Sequence, residues 1–181
     1  MSDLESKANN LRTLVDSDNL DKAKITALLT ELKQQILKTT FLTAEESTLP
    51  VKDRCAFRSV LESDAIFHVK TENIKQFALD IQKLKTCYFR EAPDFPKSDR
   101  MPQLLSLYLV YLLTQNQIVD FNIELPLYTK VCGEKNKFLE YSIQLEEALV
   151  DNSFKSLFNL NDAAPSSLYK YFTSLLVDGA R

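Results

Sequence analysis

Apolar residues recur three and four apart through most of the chain, and no segment alternates strictly between apolar and polar, so the pattern predicts helices and no strands. A first helix over residues 3–16 carries Leu4, Ala8, Leu11 and Val15 on one stripe, and a second over 19–38 carries Ile25, Leu28, Leu29, Leu32 and Ile36. Asp16-Ser17-Asp18-Asn19 reads as the turn between them. Ser47-Thr48-Leu49-Pro50 offers cap candidates and a proline suited to a first helical turn, opening a third helix through Val51, Cys55, Phe57, Val60, Leu61 and Phe67. Thr71 is the expected cap of a fourth, which carries Ile74, Phe77, Ala78, Ile81 and Leu84.

The segment 92–101 holds Pro93, Pro96 and several charges, a composition suited to a surface loop and the best internal boundary. After it, residues 104–113 are apolar on nearly every side. Ten residues are half of the roughly 20 that span a bilayer, so this helix belongs at the centre of the core. A partner near 117–131, interrupted or restarted at Pro126, precedes a turn at Gly133-Glu134-Lys135-Asn136. Then come a helix through Phe138, Tyr141, Leu145, Ala148 and Leu149, a short one at 153–160, and a last one opened by Pro165.

Helical pairs beginning near residues 3, 50, 102 and 137 have the spacing of two-helix modules without a fixed period. The fold class expected is all-α, a short irregular α-solenoid of helical hairpins, with 1–45 as an N-terminal hairpin and 46–181 as the helical-repeat portion. The last helix carries Leu168, Tyr169, Phe172, Leu175 and Leu176 on one stripe with no polar cap after it. That stripe is the expected protein interface, covered by further chain or by a partner.

Composition narrows the chemistry. Two glycines, Gly133 and Gly179, leave nothing from which to build a phosphate-cradling loop or a dinucleotide fingerprint. One histidine, His68, leaves few routes to acid–base or zinc chemistry. A formal net charge of -3 favours protein partners over nucleic acid or membrane surface. Cys55, Cys87 and Cys132 contain no C-x-x-C pair, the N-terminus has no basic region followed by an apolar run, and no N-x-[ST] sequon occurs. These features fit an intracellular, reducing compartment.

Each chemical motif has a simpler reading. Cys55 and His68 lie 13 residues apart on one expected helix, about 20 Å at 1.5 Å per residue, too far for a dyad. A thiol–imidazole pair would need Cys87 or Cys132 brought to His68 by the fold. Asp16 to Asp21 begins like a calcium loop, but Asp21 and Ala27 stand where glycine and glutamate are required. Glu45-Glu46 and Glu146-Glu147 point about 100° apart as neighbours on helix. Lys83, Lys85 and Arg90 beside Tyr88 and Phe89 form a basic–aromatic cluster, equally expected at a helix C-terminus with its rings in the core.

Leu104 to Leu109, Leu112 to Asn116, Asp120-Phe121 and Glu124-Leu125 resemble a stretch of the small PCI-domain lid subunits of the proteasome regulatory particle. Leu61-Glu62 with Ala65, Leu84-Lys85 with Tyr88-Phe89, and Leu145-Glu146 through Ser153-Phe154 extend the resemblance over about residues 50–181. Asp64 and Asn152 depart from it, standing where relatives are expected to have glycine; aspartate implies ordinary helix at that point. The resemblance implies a TPR-like, PCI-type helical repeat that in the family continues into a winged helix, which is expected to be absent from this chain. It also implies a non-catalytic lid subunit acting in assembly and ubiquitin-dependent degradation, in cytoplasm and nucleus. Its partners would be other lid and base subunits and a ubiquitin-receptor subunit. No catalytic residue, cofactor, metal, nucleic acid, membrane or small-molecule substrate is expected. The small PCI subunits of the COP9 signalosome and of a translation initiation factor complex are the alternative.

Overall fold

A single apolar stripe per turn lets a helix bury one face and leave the other wet, and the first two helices do this. A computed structural model describes residues 3–17, 21–42, 50–90, 96–133, 135–151 and 153–179. Within them run α1 (Asp3–Asp16), α2 (Lys22–Leu42), α3 (Val51–Lys70), α4 (Ile74–Arg90), α5 (Met101–Thr114), α6 (Ile118–Cys132), α7 (Lys137–Val150), α8 (Phe154–Asp162) and α9 (Ser167–Gly179). No strand occurs among the described residues. The fold is all-α, as the periodicity implies. No described helix is long and apolar enough to cross a membrane.

α5 is the hub. Its apolar circumference, from Met101 and Leu104 to Leu113, is buried against α4, α6, α7 and α9. Ser106 lets α7 approach closely: its hydroxyl donates to the Phe138 carbonyl at 2.5 Å and lies 2.7 Å from the Ser142 hydroxyl. On the other side α1 packs against α2 and α3, and α3 against α4. Two carbonyls at the C-terminal end of α1 are taken up by α3, since Lys70 Nζ donates to Val15 O at 2.7 Å and Ser17 O at 3.2 Å. Arg100, just before α5, reaches back to Asp16 Oδ2 at 2.5 Å, tying the second half to α1.

Several boundaries differ from the sequence expectation. Thr71 does not cap α4; it ends α3, and Asn73 precedes α4 with its carbonyl accepting from Phe77 N at 3.1 Å. Between them Glu72 adopts φ 62, and its N–H and that of Asn73 donate to Val69 O and His68 O. Asn116, at φ 56 after α5, makes the same paired closure with Gln117 onto Leu113 O and Leu112 O. These are Schellman ends built without glycine, on one asparagine and one glutamate. Gly133, at φ 92, supplies the left-handed residue after α6.

Pro126 does not interrupt α6, which runs continuously through it. Pro126 and Asn122 both face solvent, so the Asn122 carbonyl that loses its donor is left to water. Pro50 stands at the N-cap of α3 instead of inside its first turn, its carbonyl accepting from Asp53 and Arg54. Pro165 lies in a bend ahead of α9, which begins at Ser167. Asp64 is in ordinary helix, as its identity implies. Asp18, Asn19, Ser47 to Leu49, residues 91–95 of the expected loop, Glu134 and Asn152 lie outside the described residues.

Candidate functional site

The most ionic part of the interior lies where α2, α3 and α4 meet. Asp64 and His68 are one turn apart on α3, and Asp80 faces them from α4. Asp64 and Asp80 are almost wholly buried; His68 is nearly so. His68 Nδ1 sits 2.7 Å from Asp80 Oδ2 and 3.7 Å from Asp64 Oδ1. Burial alone would push the Asp80 carboxyl up, but the His68 hydrogen bond and charge, with Lys83, outweigh it and hold Asp80 below its usual range. An ionised carboxylate only accepts, so Nδ1 carries the proton it receives.

Asp64 goes the other way. Burial pushes its carboxyl up, Lys33 pulls it down, and the neighbouring Asp80 charge adds to the rise. Lys33 Nζ pairs with Asp64 Oδ2 at 2.5 Å, while Oδ1 has no hydrogen-bond partner. A second buried set lies deeper along α3, where Tyr88 OH donates to Glu62 Oε1 at 2.9 Å and Arg58 Nε stands 3.7 Å from the same oxygen.

Neither set contains a thiol. The cysteines form no disulfide, and each is half-buried. Burial pushes the Cys132 thiol up, with Lys97 pulling weakly against it. Less thiolate is therefore present at neutral pH than for a free cysteine. Labelling of native Cys132 with a disulfide reagent should be slower than that of a small-molecule thiol at pH 7 and should accelerate as pH rises. Fast labelling at pH 7 would revive a nucleophilic reading of that residue.

Of the basic–aromatic cluster, Lys83, Lys85, Tyr88 and Phe89 are engaged within the chain, and the Arg90 side chain lies outside what the structure describes. Lys83 pairs with Asp80, and Lys85 with Glu124 of α6. Lys85 Nζ also lies 5.3 Å from the Tyr108 ring centre, and Phe89 stacks on Tyr128 at 6.3 Å. Tyr88 is buried on Glu62.

The five residues of the α9 stripe are likewise placed inward. Leu168, Tyr169, Phe172 and Leu176 are buried in this chain's own core, and Leu175 is half-buried. Tyr169 is fixed by its hydroxyl donating to Gln103 O at 3.1 Å, and Phe172 by its ring 5.6 Å from that of Phe77. α9 folds back onto α5 and closes the row that the sequence leaves open.

Large apolar side chains are exposed singly on several of the described helices, and in a row on α6. Val119, Ile123 and Leu127 follow one another at four-residue intervals and are 73%, 60% and 49% exposed. The sequence signal was there, since these residues sit on the face opposite Phe121 and Tyr128, which are buried.

Among the described residues the chain is all-helical, with a buried central helix, a buried ionic cluster and an apolar row on one surface helix. Residues 99–181 match the family described as CSN8/PSMD8/EIF3K. The chain is homologous to the 26S proteasome regulatory subunits named non-ATPase subunit 8 and Rpn12. It is 30% identical over 156 residues to the 26S proteasome non-ATPase regulatory subunit 8 homolog A of Arabidopsis thaliana, covering 85% of this chain and 58% of that protein. Against the 26S proteasome regulatory subunit RPN12 of Saccharomyces cerevisiae the figures are 27% over 171 residues, 91% and 62%. The rpn12 protein of Schizosaccharomyces pombe is 25% identical over 177 residues, covering 96% and 62%. The chain thus spans about three fifths of the length of these relatives.

Proposed function

We propose that the chain is a non-catalytic structural subunit of the 26S proteasome regulatory particle. In this reading it acts in lid assembly and ubiquitin-dependent degradation in cytoplasm and nucleus, and helps to position a ubiquitin-receptor subunit. The observation that carries the reading is the similarity to proteasome regulatory subunits along almost the whole chain. The structure supports it with a surface suited to the task. Contiguous exposed apolar rows on a folded domain are what association buries, and Val119, Ile123 and Leu127 form one. The α9 stripe then serves the interface indirectly: four of its residues hold α9 in place, and Leu175 keeps surface to offer. Residues 1–45 are read as an N-terminal hairpin and 46–181 as the helical-repeat portion that carries these surfaces.

Affinity purification of the tagged protein from its own cells, followed by mass spectrometry, tests both parts. Wild type should retain lid and base subunits in near-equal amounts. Ile123→Asp should lose them while keeping its helical circular dichroism and melting temperature, because residue 123 is in solvent. Recovery of signalosome or initiation-factor subunits instead would move the chain to the other branches of its family. Full retention by Ile123→Asp would remove α6 from the interface.

A further inference from the structure

Two acidic residues and the chain's single histidine come together where α3 meets α4, although Asp80 is 12 residues from His68 and on another helix. One ligand atom from each of Asp64, His68 and Asp80 lies within 4.8 Å of the other two. Asp64 is 1% exposed, and its Oδ1 is turned to His68 with no hydrogen-bond partner. A buried carboxylate oxygen without a donor is costly unless something positive meets it. We propose that Asp64, His68 and Asp80 form a binding site for a divalent transition-metal ion of the zinc class, which would clamp α3 to α4.

The geometry is near what such an ion requires. Ligand bonds of about 2.0–2.2 Å in a tetrahedral arrangement set the donor atoms about 3.4 Å apart. The His68–Asp64 separation of 3.7 Å has to close slightly, and the His68–Asp80 contact of 2.7 Å has to open by less than about 1 Å. The Asp64 and Asp80 oxygens, which lie within 4.8 Å of each other, also have to draw together, and all three changes are side-chain rotations. An imidazole nitrogen with two carboxylates selects zinc-class ions over magnesium or calcium, which prefer all-oxygen shells.

The charges also allow it. The two carboxylates are now balanced by Lys33 and Lys83, whose side chains are 41% and 57% exposed. Lys33 can swing its ammonium into water and yield its place to the ion, while Lys83 stays on Asp80 Oδ1 and His68 gives up its Nδ1 proton to solvent. Gln76 Nε2 and Lys83 Nζ, at 3.4 and 3.3 Å from Asp80 Oδ1, hold the oxygen that would not bind the metal. Of the three, His68 is the one that reaches solvent, with its side chain 14% exposed.

The test uses the full chain, stripped with a chelator and titrated with zinc chloride by calorimetry, then with cobalt chloride followed by absorption spectroscopy. Wild type should bind one zinc ion per chain, and the cobalt form should show visible bands without a thiolate charge-transfer band. His68→Asn should weaken binding at least about tenfold with helical circular dichroism intact. Lys33→Met removes the ammonium that competes for Asp64, so it should tighten binding, a change that damage to the fold would not produce. Absence of saturable zinc binding by the folded wild type would overturn the proposal. So would a thiolate charge-transfer band, which would put the ion on a cysteine, or equal affinity in wild type, His68→Asn and Lys33→Met.

Discussion

Leu109→Asp should leave the chain without a cooperative thermal transition. Leu109 is 0% exposed at the middle of α5, the helix on which α3, α4, α6, α7 and α9 pack. Removing a buried leucine costs about 3–5 kcal/mol, and an aspartate there also meets no cation, which adds several kcal/mol more. Total stabilities of single domains are about 5–15 kcal/mol, so this one change consumes most or all of it. Circular dichroism against temperature reads the result. Val119→Asp, introducing the same charge at a position 73% exposed, should melt within about 0.5 kcal/mol of wild type. A normal transition for Leu109→Asp would mean that α5 is not the centre of the core.

Phe172→Ala has the next largest expected effect. Phe172 is 0% exposed, and its ring contacts Phe77 of α4, so it joins the last helix to the first half of the bundle. Truncating a buried phenylalanine costs about 3–5 kcal/mol. Leu175→Ala, on the half-buried side of the same helix, should cost about 1 kcal/mol or less. Urea unfolding of both variants separates two roles for α9. A large loss at 172 with a small one at 175 makes the helix part of the core; similar small losses would make it a loosely held surface element.

What could be read in the sequence follows from what periodicity encodes. Leu11, Val15, Ile25, Leu29, Leu32 and Ile36 repeat at helical spacing because each helix buries a single face, and all six are in the core. Residues 104–113 could be placed at the centre because an apolar circumference has no other stable home. α3 hid its burial instead. It turns Glu62, Ser63 and Asp64 inward, while Val51, an apolar residue, is 54% exposed. Those polar residues are tolerable only because Tyr88 and Lys33 meet them from α4 and α2, pairings between helices that no local pattern carries.

The candidate site was hidden for the same reason. His68 was legible as a helix-end residue, and it does lie in the last turn of α3; Asp80, its partner, became visible only with the α3–α4 crossing. Thr71 was misread because a threonine at a boundary serves the end of one helix as well as the start of the next. The α9 stripe was read as open because sequence order puts it last, whereas packing returns it to α5.

The glycine-free corners after α3 and α5 bear on how copies of this chain can meet. Each corner joins its two helices through three residues, which reach at most about 11 Å when fully extended. Such a connection cannot straighten into a hinge that sends one helix of the pair to a neighbouring molecule unless the two helices fuse into one. Glu72 and Asn116 would both have to leave their left-handed turns and give up paired hydrogen bonds for that to happen. Exchange of α4 or α6 between chains would therefore require each pair to fuse into one long helix at the expense of these closures.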